Sequence, residues 1–197
     1  PSRLASTRLP GKPLADIHGK PMIRHVMDRA AEAASGPVLC AAAEPEIAEA
    51  VRQAGYAAVL TDPAHPSGSD RIWEALKLAD PQGQHDVIVN LQGDLPTLDP
   101  ALVQSVIGPL ADPDVDIATL VAEITEPDEK TNPNVVKCVT AFEPDQTRAR
   151  ALYFTRATAP SGAGPLWHHI GIYAYRRAAL ERFVALPPGI LEQREKL

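Results

Sequence analysis

Apolar residues recur along this chain in two alternating rhythms, one helical and one strand-like. Between 20 and 34, Met22, Ile23, Val26, Met27 and Ala30 fall at three- and four-residue spacing, which predicts a helix with Pro21 suited to its first turn. Gly36 and Pro37 stop it, and VLCAA (38–42) reads as a short buried strand. A second helix spans 45–54, with Ile47, Ala50, Val51 and Ala54 on one face and Gly55 as its end signal. AAVL (57–60) is a strand, and 69–79 is again helical through Ile72, Ala75, Leu76 and Ala79. VIVNL (87–91) is β-branched and apolar on both faces, as central strands are. A helix over 102–110, entered through Asp99-Pro100, and a strand over 116–124 continue the alternation. Strand–helix alternation of this kind predicts a mostly parallel sheet covered by helices.

The rhythm then changes. VVKCVTAF (135–142) and ALYFTRA (151–157) are both strand-like and only a polar turn, EPDQTRAR, separates them. With no helix between, they predict an antiparallel hairpin inserted into the α/β core. HHIGIYAYR (168–176) is a further strand and 177–185 a short helix, while PSGAGP (160–165) reads as a flexible loop. There is no internal repeat and no low-complexity tract, and most of the 20 prolines stand at element boundaries.

Composition narrows the class. A chain of 197 residues, 45% hydrophobic and 22% charged, predicts a single domain over 1–197 with enough apolar material for a core. A net charge of −6 argues against the broad basic surface that nucleic acid requires. No apolar run approaches the roughly 18 residues of a membrane helix, and no signal peptide is visible, so the expectation is a cytoplasmic protein without membrane insertion. Cys40 and Cys138 sit in VLCAA and VKCVT, which read as buried reduced thiols; no ligand spacing for structural zinc exists.

Charge patterning then points to chemistry. Arg3, Arg8 and Lys12 crowd around Pro10, Gly11 and Pro13 on a chain that is negative overall. Three cations on one segment repel each other unless an anion sits among them. Ser6, Thr7, Gly11 and Lys12 supply the small residues and the cation that a phosphate cradle needs. The segment is not a Walker A loop, which requires Gly where Ser6 stands and Ser or Thr where Pro13 stands. A solvated basic loop explains the same residues.

In NLQGDLP (90–96) the apolar strand runs straight into Gln92, Gly93 and Asp94. Ligands of open α/β sheets bind at the carboxyl ends of strands. A carboxylate at that tip suits Mg²⁺, which takes one or two carboxylates plus substrate phosphates; a turn or helix-cap aspartate is the plainer alternative. HPSGSDR (65–71) precedes a predicted helix, so Ser69 is a candidate N-cap, or the small residues contact a nucleobase. His168 and His169 are adjacent in a strand and point to opposite faces, so they do not share a metal, although one of them with Tyr173 could line a polar pocket.

These segments, PSRLASTRLPGKPLADIHGKPMI, HPSGSDR, VIVNLQGDLP, NPNVVKCV, ALYFTRA and HHIGIYAYR, occur in the order seen in the 3-deoxy-manno-octulosonate cytidylyltransferase (CMP-Kdo synthetase) family, which the chain resembles over nearly its whole length. RLASTRLPGKPL alone resembles sugar nucleotidyltransferases at large; NPNVVK with ALYFTRA and H-x-GIY is more specific. The resemblance implies a Rossmann-like, GT-A-like three-layer sandwich with a dimerisation hairpin at 132–157, hence a homodimer. It also implies a Mg²⁺-dependent reaction of CTP with Kdo, giving CMP-Kdo and pyrophosphate for lipopolysaccharide synthesis. Carried over by position, Arg3, Ser6, Arg8 and Lys12 look like nucleotide contacts, with Arg3, Arg8, Lys12 and Asp94 as the catalytic set. Ser67, Gly68 and Arg71 look like the cytosine and ribose site, and Asp94 a metal ligand. Gln92, Arg156, His169, Tyr173 and Glu192 resemble a sugar pocket. The family pattern implies an apolar strand before Pro1, further chain after LEQREKL with a second metal-binding aspartate, a longer 156–169 segment, and Glu where Leu95 stands. A cytidylyltransferase for another acidic sugar such as a sialic acid, and a non-catalytic nucleotide-binding protein on the same fold, remain alternatives.

Overall fold

Helices and strands form where the apolar rhythm puts them, and proline, glycine and short polar side chains set their ends. The computed structural model describes residues 1–5 and 9–197. In chain order it contains β1 (Asp16–Ile17), β2 (Lys20–Pro21), α1 (Met22–Glu32), β3 (Leu39–Ala42), α2 (Pro45–Gln53), β4 (Ala57–Leu60), α3 (Gly68–Ala79) and β5 (Val87–Leu91). Then follow α4 (Ala101–Ile107), β6 (Ile117–Glu123), α5 (Pro127–Thr131), β7 (Lys137–Val139), β8 (Tyr153–Thr155), β9 (Trp167–Arg176), α6 (Arg177–Ala185) and α7 (Ile190–Glu195). The chain forms two compact units, Pro1–Ala118 with Ile172–Ala185, and Thr119–Gly171 with Leu186–Leu197. The expected single domain over 1–197 is thus subdivided, and the whole 132–157 segment belongs to the second unit.

In the first unit, β3 is covered on both faces. Cys40 and Ala42 pack with Ile23 and Met27 of α1 and with Ile47, Ala48 and Val51 of α2. Ala41, between them, packs with Ile72 and Ala75 of α3, Leu180 of α6 and Tyr175 of β9. Side chains that alternate across a strand make this division automatic. β3 and β4 pair in parallel from Leu39↔Ala57 to Ala42↔Leu60, joined by α2. Ser2 bridges Ala42 in parallel, its N–H donating to Ala41 O and its carbonyl accepting from Ala43 N, each at 2.9 Å. β5 departs from the expected parallel arrangement, pairing antiparallel with β9 from Val87↔Arg176 to Leu91↔Ile172. No crossover helix precedes β9, so the chain returns without the reversal that a parallel neighbour needs.

Several boundaries differ from the expected ones for local reasons. α3 begins at Gly68 with Ser67 as its cap, not Ser69: Ser67 Oγ accepts from the Asp70 amide at 3.2 Å. α4 stops at Ile107 because Pro109 has no N–H to donate, and Gly108–Ala111 tightens into a 3-10 turn. β1, β2, α5 and α7 were not expected; at two to six residues they are too short to show a period.

In the second unit the hairpin is present but shorter than the strand-like segments. β7 and β8 pair antiparallel from Lys137↔Thr155 to Val139↔Tyr153, and β7 also pairs with Trp167 and His168 of β9. Ile124, Val135 and Leu166 form its small core. Lys137 is fully buried there, and its ammonium donates to Asn132 O at 2.7 Å; burial lowers its pKa, with Glu129 opposing. Both cysteines are buried free thiols, and burial pushes the Cys138 thiol up to about 11.

Candidate functional site

The basic opening segment is folded back on itself by its glycine. Gly11 adopts φ +72°, a conformation that costs other residues strain, and its N–H donates to Leu4 O at 3.1 Å. This turn launches the 3-10 stretch Lys12–Leu14. Glu44, just before α2, fixes the segment from the other side by accepting from the Leu4 amide at 2.9 Å. Lys12 Nζ then reaches Asp94 Oδ2 at 2.8 Å. Asp94 is delivered by β5 through Gly93, whose backbone lies against Pro1. A Cβ on Gly93 would stand 2.8 Å from the Pro1 carbonyl oxygen, closer than a side chain tolerates.

These approaches border an open cavity of about 290 Å³ in the first unit. Arg3, Lys12, Ser67, Gly68, Arg71, Gln92 and Asp94 all line it, together with His65. Ser6 and Arg8, predicted for the same site, lie outside the described residues. The Lys12–Asp94 pair is only partly covered, the side chains being 33% and 52% exposed. Pairs of that kind contribute about 0–1 kcal/mol, so exchanging one partner for a ligand costs little.

α3 holds the loop that forms one wall. Arg71 is almost completely buried and donates to Thr61 Oγ1 at 2.7 Å, Asp62 O at 3.0 Å and Pro63 O at 3.4 Å. Its described partners are therefore loop groups, although it borders the cavity. Burial lowers its pKa, Glu44 partly offsets this, and Arg3 lowers it again. One turn further along, Glu74 accepts from the Asp62 amide at 2.8 Å and contacts His65 Nε2 at 2.5 Å. Burial raises the Glu74 pKa, but the amide and the imidazole together hold it below the usual carboxylate value. Ser69 Oγ lies 3.3 Å from Tyr175 OH. Gln92 Nε2 donates weakly to the buried Asn90 Oδ1 at 3.4 Å. Tyr173 in β9 is tilted against Tyr175, with ring centroids 6.0 Å apart, and burial, then Tyr175, pushes its phenol up to about 12.

The other predicted residues belong to the second unit. Arg156 donates through Nε to Glu195 O, through Nη1 to Pro133 O and through Nη2 to Lys196 O, at 2.8–3.0 Å. Glu195, which sequence reasoning did not single out, accepts from Tyr153 OH, Thr155 Oγ1 and the Arg156 amide at 3.1, 2.7 and 2.8 Å. Glu192 instead accepts from the Gly189 amide at 2.9 Å, closing the start of α7. His169 sits 3.0 Å from Thr119 Oγ1 and 4.7 Å from the Phe154 ring centroid. Burial, reinforced by His168, lowers its pKa to about 4, so its imidazole is neutral at pH 7.

Of the missed residues, Glu74 had a usable signal, since it follows Arg71 by three positions and shares its helix face. Glu44 and Glu195 had none, because their partners are distant in sequence. Among the described residues, no three His, Cys, Asp or Glu side chains converge as a metal cage, and no helix is long and apolar enough to cross a membrane. Asp94, half exposed and paired with Lys12, would suit a metal that keeps waters and takes phosphate oxygens, which is the habit of Mg²⁺ and not of a caged zinc.

The cytidylyltransferase family profile matches residues 1–197. The 3-deoxy-manno-octulosonate cytidylyltransferase of Rhodospirillum centenum is 67% identical over 197 residues, covering 100% of this chain and 77% of that protein. The protein of the same name from Paramagnetospirillum magneticum is 62% identical, covering 100% of this chain and 80% of its own length. A solved structure of CMP:2-keto-3-deoxy-manno-octonic acid synthetase complexed with CTP superposes with a TM-score of 0.88 at 39% identity, covering 100% of this chain and 80% of that one. At 12% identity and a TM-score of 0.58, the 4-diphosphocytidyl-2C-methyl-D-erythritol synthase of Anaerococcus prevotii shares the fold; the alignment covers 95% of this chain and 76% of that one.

Proposed function

Because the chain belongs to the cytidylyltransferase family, we propose that it transfers the cytidylyl group of CTP to Kdo, releasing pyrophosphate and forming CMP-Kdo for lipopolysaccharide synthesis. The observation that carries this is that Arg3, Lys12 and Asp94 share one cavity with the Ser67–Gly68 wall. The first unit, with β3 covered on both faces, is the nucleotide-binding part of a Rossmann-like, GT-A-like sandwich on this reading. A homodimer through the hairpin and a cytoplasmic location belong to the same proposal.

The anomeric hydroxyl of Kdo attacks the α-phosphorus in line and gives up its proton to solvent water, and the P–O bond to pyrophosphate breaks. Both reactants are anions. Two unit charges 4 Å apart repel by about 4 kcal/mol at an effective dielectric of 20. Arg3 and Lys12 offset that repulsion and neutralise charge that builds on the phosphate oxygens. Lys12 moves from Asp94 to phosphate at small cost because their pair is exposed. Asp94 is the residue that would hold Mg²⁺, which when bound screens the triphosphate and polarises its oxygens. Gly68 keeps the wall open to the nucleoside: a Cβ there would lie 3.2 Å from Pro1 Cγ and 3.3 Å from Gln92 Nε2.

For the sugar acid, Arg156 has five N–H donors, of which three are committed to carbonyls. The remaining two suit a carboxylate. Within the same unit His169 is a further candidate, as a neutral hydrogen-bonding group, while Glu192 keeps only one oxygen clear of its capping bond. In the first unit the sugar candidates are Gln92 and Tyr173.

The test is pyrophosphate release from CTP with Kdo, and with a sialic acid in its place. Kdo is expected to support turnover and the sialic acid not. Asp94→Asn is expected to fold normally and to slow turnover by orders of magnitude, each tenfold corresponding to about 1.4 kcal/mol of barrier. Near-normal release from that variant removes Asp94 from the reaction.

A further inference from the structure

We propose that Glu74 is a positioning residue for nucleotide recognition: it fixes the imidazole of His65 so that Nδ1 offers a hydrogen-bond acceptor to a donor on the bound nucleoside. The inference rests on the cytidylyltransferase reading and extends it to a residue outside the cavity wall.

Glu74 Oε2 touches two groups, His65 Nε2 at 2.5 Å and the Asp62 amide at 2.8 Å. An ionised carboxylate can only accept, so both neighbours donate to it. A neutral imidazole has one donor nitrogen and one acceptor nitrogen. In the neutral ring, committing Nε2–H to Glu74 leaves Nδ1 as the acceptor. The ring is held at its base as well. Asp62 Oδ1 accepts from the Ala64 amide at 2.8 Å, and the His65 amide donates to Asp62 O at 3.3 Å. Arg71 fixes the same turn through Asp62 O and Pro63 O. Thus α3 clamps both the backbone of the loop and the side chain that it presents, and His65 stands between two hollows, one shared with Lys12 and Asp94 and the other with Glu74 and Asp62.

An acceptor on a nearly immobile ring selects a donor. A nucleoside offers two kinds, an exocyclic amino group on the base and the ribose hydroxyls. A base carrying a carbonyl in place of the amino group would set lone pair against lone pair, which costs more than a missing contact.

The experiment measures calorimetric Kd values for CTP, UTP and dCTP on the full chain. The proteins are wild type, Glu74→Ala, Glu74→Gln, His65→Ala and the His65→Ala/Glu74→Ala double variant, each checked by thermal melting. Glu74→Ala is expected to weaken CTP by about tenfold, the size of one lost hydrogen bond. It should also reduce discrimination: a falling CTP-to-UTP preference assigns the donor to the base amino group, and a falling CTP-to-dCTP preference assigns it to the ribose 2′-hydroxyl. Glu74→Gln retains an acceptor for Nε2–H and should recover much of the affinity. The double variant should bind no worse than His65→Ala, because Glu74 acts through His65. A folded Glu74→Ala with wild-type Kd values and unchanged preferences overturns the proposal. So does a Glu74 effect that persists in full without His65. If Glu74→Ala does not fold, His65→Ala decides, and wild-type CTP affinity in that variant is fatal to the idea. Pyrophosphate release by the wild type is read separately. Its absence defeats the proposed reaction, while the Kd series still decides the role of Glu74.

Discussion

His169 shows how a single side chain can set the acid limit of this fold. Its folded-state pKa of about 4 lies below the ordinary histidine value of 6.5, so the unfolded chain takes up the proton first. Stability is therefore intact above about pH 6.5 and is drained as the pH falls toward about 4. His169→Asn keeps a polar group beside Thr119 without the titration. Urea unfolding across that window is expected to show a smaller loss on acidification for the variant than for the wild type. At this scale, sequence reasoning located Lys12, Asp94 and Gly93 because each stands in a compact motif whose neighbours announce its setting. It could not tell that Arg71 spends its donors on Thr61, Asp62 and Pro63, since the guanidinium's reach and burial are properties of the folded loop. Nor could it separate Glu192 from Glu195: they lie three residues apart on α7, and only tertiary packing puts Glu195 against Arg156 and Thr155.

Among the elements, α3 carries the most responsibility for the cavity. Its cap, Ser67, also lines the wall, and Arg71 and Glu74 on its first two turns secure the loop that precedes it. Loss of the cap should therefore loosen both. Ser67→Ala is expected to cost about 1 kcal/mol in chemical denaturation, the typical value for a missing N-cap, and to weaken CTP binding in parallel. The long helices α1, α2 and α3 and the strands β3 and β9 were legible from periodicity because each sends side chains into the cores around β3. The pairing direction of β5 with β9 was not legible. An apolar run has the same composition in either direction, and only the route of the chain between strands decides. Short pieces such as α5 and α7 carry too few residues for a pattern to rise above chance.

For the molecule as a whole, a chain of net charge −6 nevertheless lines one cavity with Arg3, Lys12 and Arg71, a local reversal of sign that favours an anionic ligand there. Nothing in composition foretold two compact units, because the division follows from which segments pack together. The Lys12–Asp94 pair has one further consequence. Asp94 acts as a resident counter-ion that competes with every incoming anion for the lysine. Neutralising it should thus have opposite effects on occupancy and on turnover. Without metal, Asp94→Asn is expected to bind free pyrophosphate more tightly than the wild type in a direct titration, and so to be more easily poisoned by its own product. The native carboxylate would then serve to empty the cleft after each cycle, a duty separate from any part it takes in bond making.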